Sequence, residues 1–156
     1  MLAWLVLAWF AVPQTTASRP APPIETKHLT LTTSSGRVSA GKLPLHVDVT
    51  PNEKMHVYAP GQAGYIAIDV KLDPDAPVKV AGKPKYPAGE KLFMPALNET
   101  QLVYSKPFRI TQDVTLGPAA RSGPVTIKGT VRYQACDDTI CYKPVTLAVT
   151  WMVANP

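Results

Sequence analysis

The sequence predicts an all-β protein, an antiparallel immunoglobulin-like β-sandwich, on three observations. No window of eleven or more residues carries an i, i+3, i+4, i+7 apolar stripe, so helix is at most a minor component. About eight short segments alternate apolar and polar residues, with turn residues recurring between them. The 17 prolines sit in and between these segments, where they end helices and suit turns and strand edges. With 46% apolar and 17% charged residues the chain can build a packed core, and its 156 residues fit one domain rather than two.

Residues 1–12 are an uncharged apolar run with two tryptophans, followed by Pro13, Gln14, Thr15, Thr16, Ala17 and Ser18. A bilayer-spanning helix needs about 20 residues, so the run is too short to span. It has the length of a signal-peptide core, with small residues ahead of Ser18. The expectation is a signal peptide over 1–17, although no lysine or arginine precedes the apolar run. A flexible, proline-rich linker over 18–26 and a folded domain over 27–155 follow. No later segment is long and apolar enough for a membrane span, so the mature domain is expected free in its compartment, as a monomer.

Within the domain, Leu43, Leu45, Val47 and Val49 alternate with polar or small neighbours and mark a half-buried strand ending in a turn at Thr50, Pro51, Asn52 and Glu53. Residues 55–61 give a short strand and a second turn. Residues 65–72 are the clearest strand of the first half, with Ile66, Ile68, Val70 and Leu72 on one face. Val78 and Val80 mark another. Between Gly82 and Asn98 the alternation lapses into a long connection that holds Leu92, Phe93 and Met94. Strands resume at 102–104, 108–110 and 114–116, and residues 117–123 lead into a hairpin.

That hairpin holds both cysteines of the chain, Cys136 and Cys141, four residues apart. Val125, Ile127, Val131 and Tyr133 alternate before the pair, and Val145, Leu147, Val149, Trp151 and Val153 after it. Facing cysteines of an antiparallel pair can meet the distance limits of a disulfide. Register adds a constraint. If Cys136 opposes Cys141, odd positions on one strand meet even positions on the other, yet both strands carry their apolar residues at odd positions. A one-residue shift is required, and Pro144, which cannot donate to a ladder, places a bulge or a break at Lys143 and Pro144.

A bridge closing so short a loop stabilises a domain by only about 2 kcal/mol in the loop-entropy model. Exported proteins also use paired cysteines as staples, so a structural brace and a redox pair both stand at this point. Local charge distinguishes the sulfurs if they are redox-active. Asp137 and Asp138 beside Cys136 disfavour its thiolate, while Lys143, two residues from Cys141, favours the thiolate there. Cys141 is then expected to form the mixed disulfide and Cys136 to resolve it.

Other classes find little support. The net charge of +5 is spread along the chain and gives no nucleic-acid or anionic-membrane patch. His28, His46, His56, Met55 and Met94 do not repeat a ligand spacing, so no metal site is expected. Hydrolase and nucleotide-binding motifs are missing, and no cofactor is expected. Asn98, Glu99 and Thr100 fit a glycosylation sequon.

The segment 129–146, Gly-Thr-Val-Arg-Tyr-Gln-Ala-Cys-Asp-Asp-Thr-Ile-Cys-Tyr-Lys-Pro-Val-Thr, resembles the signature of the N-terminal periplasmic domain of the DsbD thiol:disulfide interchange family. Residues 55–60, Met-His-Val-Tyr-Ala-Pro, are similar to that family's aromatic strand-end motif. The resemblance covers most of residues 27–153. It implies an immunoglobulin-like fold and a cysteine pair that relays reducing equivalents in the periplasm, from a thioredoxin-like donor to client oxidoreductases. It also implies that the second cysteine, Cys141, makes the partner disulfide, that His56 and Tyr58 line the site, and that a cap-loop aromatic covers the pair. Phe93 is the candidate cap, with Leu92 and Met94 as neighbours. The chain lacks the family's eight-helix membrane domain and its C-terminal thioredoxin domain, so electrons are expected from a separate protein. The alternative is an exported, non-redox binding module with a structural disulfide.

Overall fold

In the computed structural model, which describes residues 21–117 and 123–154, the chain is all β. The expected signal peptide over 1–17 lies outside the described residues. Twelve strands follow in chain order: β1 Ile24–Glu25, β2 Leu29–Ser35, β3 Lys42–Pro51, β4 His56–Tyr58, β5 Asp69–Leu72, β6 Val78–Val80, β7 Glu90–Met94, β8 Glu99–Tyr104, β9 Phe108–Leu116, β10 Val125–Tyr133, β11 Ala135–Cys136 and β12 Val145–Val153. All their pairings are antiparallel. They form a five-stranded sheet in the order β1-β2-β3-β9-β6, a three-stranded sheet β12-β10-β5, and a four-stranded sheet β11-β4-β8-β7.

Alternation decides which residues enter the core. Leu43, Leu45, Val47 and Val49 of β3 point inward beside Leu29 and Leu31 of β2 and Ile110 and Val114 of β9. Ile127, Val131 and Tyr133 of β10 and Val149, Trp151 and Val153 of β12 supply the rest of the same cluster. The two layers are tied where Trp151 Nε1 donates to the His46 carbonyl at 2.9 Å and the Thr33 hydroxyl donates to the Thr150 carbonyl at 2.6 Å. Gly129 allows β5 to approach β10. A Cβ there would lie 2.4 Å from the Lys71 carbonyl oxygen and 3.1 Å from the Trp151 ring, closer than packed atoms tolerate.

Five local expectations change. The strand read over 65–72 pairs only from Asp69 onward, because the N–H groups ahead of it are taken elsewhere: Ile66 donates to Gln134 Oε1 at 3.1 Å and Ile68 to the Tyr58 carbonyl at 2.9 Å. The long connection over 82–98 contains β7, paired with β8 from Glu90↔Val103 to Met94↔Glu99. The two strands read at 108–110 and 114–116 are one continuous β9, whose polar centre includes the buried Gln112. A strand not marked by the sequence pattern, β2, uses threonines at alternate positions and buries Thr33. Ile24 and Glu25, within the stretch assigned to the linker, pair with Leu31 and Thr30 as β1.

A one-residue shift separates the strand ladder from the cysteine pair, as parity requires. Tyr133 opposes Val145 at the end of the β10–β12 ladder, and Cys136 opposes Cys141 in an isolated bridge. Gln134 and Ala135 lie between these pairs on one side, and residues 142–144 on the other. The extra residue falls where it was expected, and no ladder runs through Lys143 and Pro144. Beyond Tyr133 the chain leaves β12 altogether, because β11 pairs with β4 instead: Ala135↔Val57 and Cys136↔His56. The hairpin thus carries the cysteines out of the three-stranded sheet and onto the edge of the four-stranded one.

Candidate functional site

Cys136 and Cys141 are joined as a disulfide, with Cα atoms 4.0 Å apart. The two sulfurs differ in access. Cys136 is fully buried, clustered with Tyr58 and Val103 and covered by Tyr65 and Leu92, whereas Cys141 is exposed.

Tyr58 reaches the site because β4 sits between β11 and β8. His56 opposes Cys136 directly, and Tyr58, two residues along β4, shares its face. The Tyr58 hydroxyl lies 3.0 Å from Cys136 Sγ and 3.2 Å from Cys141 Sγ. Neither disulfide sulfur carries a proton, so the phenol is the donor to both. Its ring is stacked on Tyr65 at 4.2 Å between centroids, and burial, reinforced by Tyr65 and Glu99, pushes its pKa well above the ordinary tyrosine value. The phenol therefore stays protonated at neutral pH. Tyr65 in turn donates to Glu99 Oε2 at 2.9 Å.

Behind the sulfurs lie two buried polar side chains, His56 and Gln101. Among the described residues, His56 Nε2 and Gln101 Oε1 find no hydrogen-bond partner. Burial lowers the His56 pKa below 6.5 against the opposing pull of Asp138, Gln101, Asp137 and Glu90, in that order, so the ring is neutral near pH 7.

In front of Cys141 opens a cleft of about 260 Å³ lined by Tyr65, Met94, Ala96, Leu97, residues 137–140 and Cys141 itself. Leu97 at the tip of the β7–β8 hairpin and Ile140 in the cysteine turn are both largely exposed. The structure brings Met94 to this cleft and packs Leu92 behind Cys136. It does not bring Phe93 there. Along β7 the inward positions are Leu92 and Met94, and Phe93 alternates to the other face, where the residue is 55% exposed.

The charged neighbours also separate. Asp138 and Lys143 are exposed. Residues 142–144 are outside any strand, so the alternation that would place Lys143 on the side of Cys141 does not operate there. Asp137 is engaged: its Oδ1 accepts from Thr139 N, Thr139 Oγ1 and Ile140 N, and its Oδ2 from Tyr142 Oη. Among the described residues no three His, Cys, Asp or Glu side chains converge as a metal-binding group.

An accessible disulfide sulfur, a buried partner sulfur and a protonated phenol touching both form an arrangement suited to thiol–disulfide exchange. The family model of the thiol:disulfide interchange protein DsbD, N-terminal, matches residues 25–151. The chain belongs to that family. No curated protein matches it by sequence. Among solved structures, it is similar to the DsbD N-terminal domain of Neisseria meningitidis in its reduced form, at 19% identity and a TM-score of 0.53, covering 82% of this chain and 86% of that one. It is also similar to the N-terminal periplasmic domain of ScsB from Proteus mirabilis, at 11% identity and a TM-score of 0.62, covering 89% of this chain and 52% of that one. The chain thus spans about half of the ScsB structure. At these identities the two structures speak for the fold, an immunoglobulin-like sandwich, while the family match and the cysteine pair support thiol–disulfide exchange as the chemistry of this DsbD N-terminal domain.

The sequence reading missed Tyr65, Gln101, Leu97 and Ile140 as site residues. Ile140 carried a signal, an apolar residue inside an otherwise polar turn between two cysteines. Gln101 carried none, since a buried glutamine in a strand is indistinguishable in sequence from an exposed one.

Proposed function

We propose that this domain is a periplasmic electron carrier that passes reducing equivalents from a thioredoxin-like dithiol donor to client disulfide oxidoreductases. The difference in access between the two sulfurs carries the reading. A donor thiolate attacks Cys141 Sγ, the only one of the two sulfurs open to an incoming protein. The Cys136–Cys141 bond breaks, the new donor–Cys141 bond forms, and Cys136 leaves as a thiolate facing the Tyr58 hydroxyl. The donor's second thiolate then attacks its own bridged sulfur, releasing Cys141. Two electrons have moved to the pair and the donor holds the disulfide; solvent protons complete the thiols. Delivery to a client runs the same steps in reverse, with Cys141 attacking and Cys136 resolving.

Tyr58 contributes by hydrogen-bonding the departing sulfur, because a charge-assisted bond strengthens as the charge forms. The covering role assigned to Phe93 passes in this reading to Met94 and Leu97, which stand beside Cys141.

The reduction potential of the pair, measured by equilibrating the domain in graded thiol buffers, tests the proposal. A carrier lies in the range of known exchange proteins, roughly −120 to −270 mV. A value well below about −300 mV describes a structural staple, and the domain would then be a non-redox binding module.

A further inference from the structure

Once the disulfide is reduced, only non-covalent bonds keep Cys141 beside Cys136. The structure holds an unusual concentration of them on one side chain. Asp137 Oδ1 accepts from Thr139 N at 2.8 Å, Ile140 N at 2.8 Å and Thr139 Oγ1 at 2.7 Å, and Oδ2 accepts from Tyr142 Oη at 2.8 Å. An aspartate bonding the backbone two and three residues ahead fixes a turn by itself. Backbone bonds from Asp137 N to the Ile140 carbonyl, 3.0 Å, and from Tyr142 N to the Ala135 carbonyl, 2.9 Å, close the same turn on both sides of Cys141.

The turn is also anchored to the body of the domain. The Tyr142 ring, bonded to Asp137 through its hydroxyl, lies 4.6 Å from the His28 ring and under the Lys27 ammonium, 4.7 Å from its centroid. His28 is buried, with Nδ1 3.4 Å from the Tyr133 hydroxyl. Asp137 thus links the segment between the cysteines to the β1–β2 connection by bonds that do not involve sulfur.

We propose that Asp137 is a positioning residue that clasps the turn in the dithiol state, holds Cys141 within reach of Cys136, and so sets the effective concentration of one thiol at the other. This inference rests on the exchange function proposed above. Effective concentration governs both resolution of a mixed disulfide and the potential of the pair, since intramolecular attack is favoured by geometry held in advance. The carboxylate's negative charge is turned toward these four donors, a role different from the tuning of Cys136 that its position in sequence suggests.

The test compares wild-type domain with Asp137→Ala, Asp137→Asn and Tyr142→Phe in glutathione redox buffers, reading the potential and the fraction trapped as the glutathione mixed disulfide. Asp137→Ala is expected to lower the effective concentration about tenfold, making the potential less negative by about 30 mV, with a matching rise in mixed disulfide. Asparagine keeps an oxygen for the three Oδ1 donors while removing the charge, so Asp137→Asn should stay within about threefold of wild type. Tyr142→Phe keeps the charge and removes one bond, and should shift the potential in the same direction as alanine by a smaller amount. The inference is overturned if the wild-type pair exchanges with glutathione and Asp137→Ala matches it within twofold, or if Asp137→Asn shifts as far as Asp137→Ala, which would make charge the cause. A wild-type pair that does not exchange at all overturns the proposed function instead.

Discussion

The Tyr58 hydroxyl lies within hydrogen-bonding distance of both sulfurs of the Cys136–Cys141 disulfide, 3.0 Å from the buried one and 3.2 Å from the exposed one. This places a protonated phenol where negative charge develops as the bond opens. Tyr58 is itself fully buried, stacked on Tyr65 and held by β4 in the middle of the four-stranded sheet. Its position is fixed by the sheet and by the Tyr65 ring as well as by the sulfurs.

Replacing Tyr58 by phenylalanine keeps the ring and removes the donor. Hydrogen bonds to charged groups contribute about 1.5–3 kcal/mol, so stopped-flow reduction of the pair by a dithiol should slow roughly tenfold or more in Tyr58→Phe. Urea unfolding of the oxidised protein should change by less than about 1.5 kcal/mol, the range of one neutral hydrogen bond. An unchanged rate would remove Tyr58 from the mechanism.

Leu97→Ser and Met94→Ser are expected to lower the second-order rate of reduction by a thioredoxin-like protein roughly three- to tenfold, because apolar anchors at the centre of an interface carry a disproportionate share of its energy. Phe93→Ser should leave that rate within about twofold, since Phe93 faces away from the cleft. The opposite ranking would return the covering role to Phe93.

Stability should fall on mild acidification. Burial holds His28 below its ordinary pKa of 6.5, with Lys27 adding to the effect, and burial does the same to His56. A histidine whose folded pKa is lowered binds protons better when unfolded, so stability is complete above about 6.5 and declines as pH falls from there toward the lowered folded values. Urea titrations at about pH 7.5 and about pH 5 should show this decline, and His56→Gln should show a smaller one. Equal pH dependence in the variant would mean that His56 titrates normally in the folded protein.

Gly129→Ala should destabilise the domain by about 1–3 kcal/mol, the usual range for overpacking, read as a lower urea midpoint. The added methyl meets the Lys71 carbonyl and the Trp151 ring, neither of which can withdraw without breaking the β5–β10 pairing or the core. A midpoint equal to wild type would show that β5 can move away freely.

The sequence made strands legible wherever apolar residues alternate on a half-buried face, as in β3, β10 and β12. It also made the register shift beside Pro144 legible, because parity is a counting property of the chain. It concealed β2, where threonines stand in for aliphatics, and β7, where Leu92, Phe93 and Met94 are consecutive and apolar character alone does not say which faces inward. The same ambiguity bears on the choice of cap residue, since Phe93 alternates away from the cleft that Met94 lines. Of the site, the cysteines and β4 were legible from motif and resemblance. The part played by Asp137 was not, because the direction of a carboxylate depends on donors that the turn brings to it. Nor was the burial of Cys136, which follows from β11 pairing with β4, a contact between segments 78 residues apart in sequence.

The most direct test of the central assignment, that Cys141 exchanges and Cys136 resolves, is mixed-disulfide trapping with Cys136→Ser and Cys141→Ser. Each reduced variant is mixed with an oxidised thioredoxin-like protein and the adduct is quantified on non-reducing gels. Cys136→Ser should accumulate a stable adduct, because its exposed Cys141 attacks and nothing resolves the product, while Cys141→Ser should form little. Adduct retained only in Cys141→Ser would contradict the assignment.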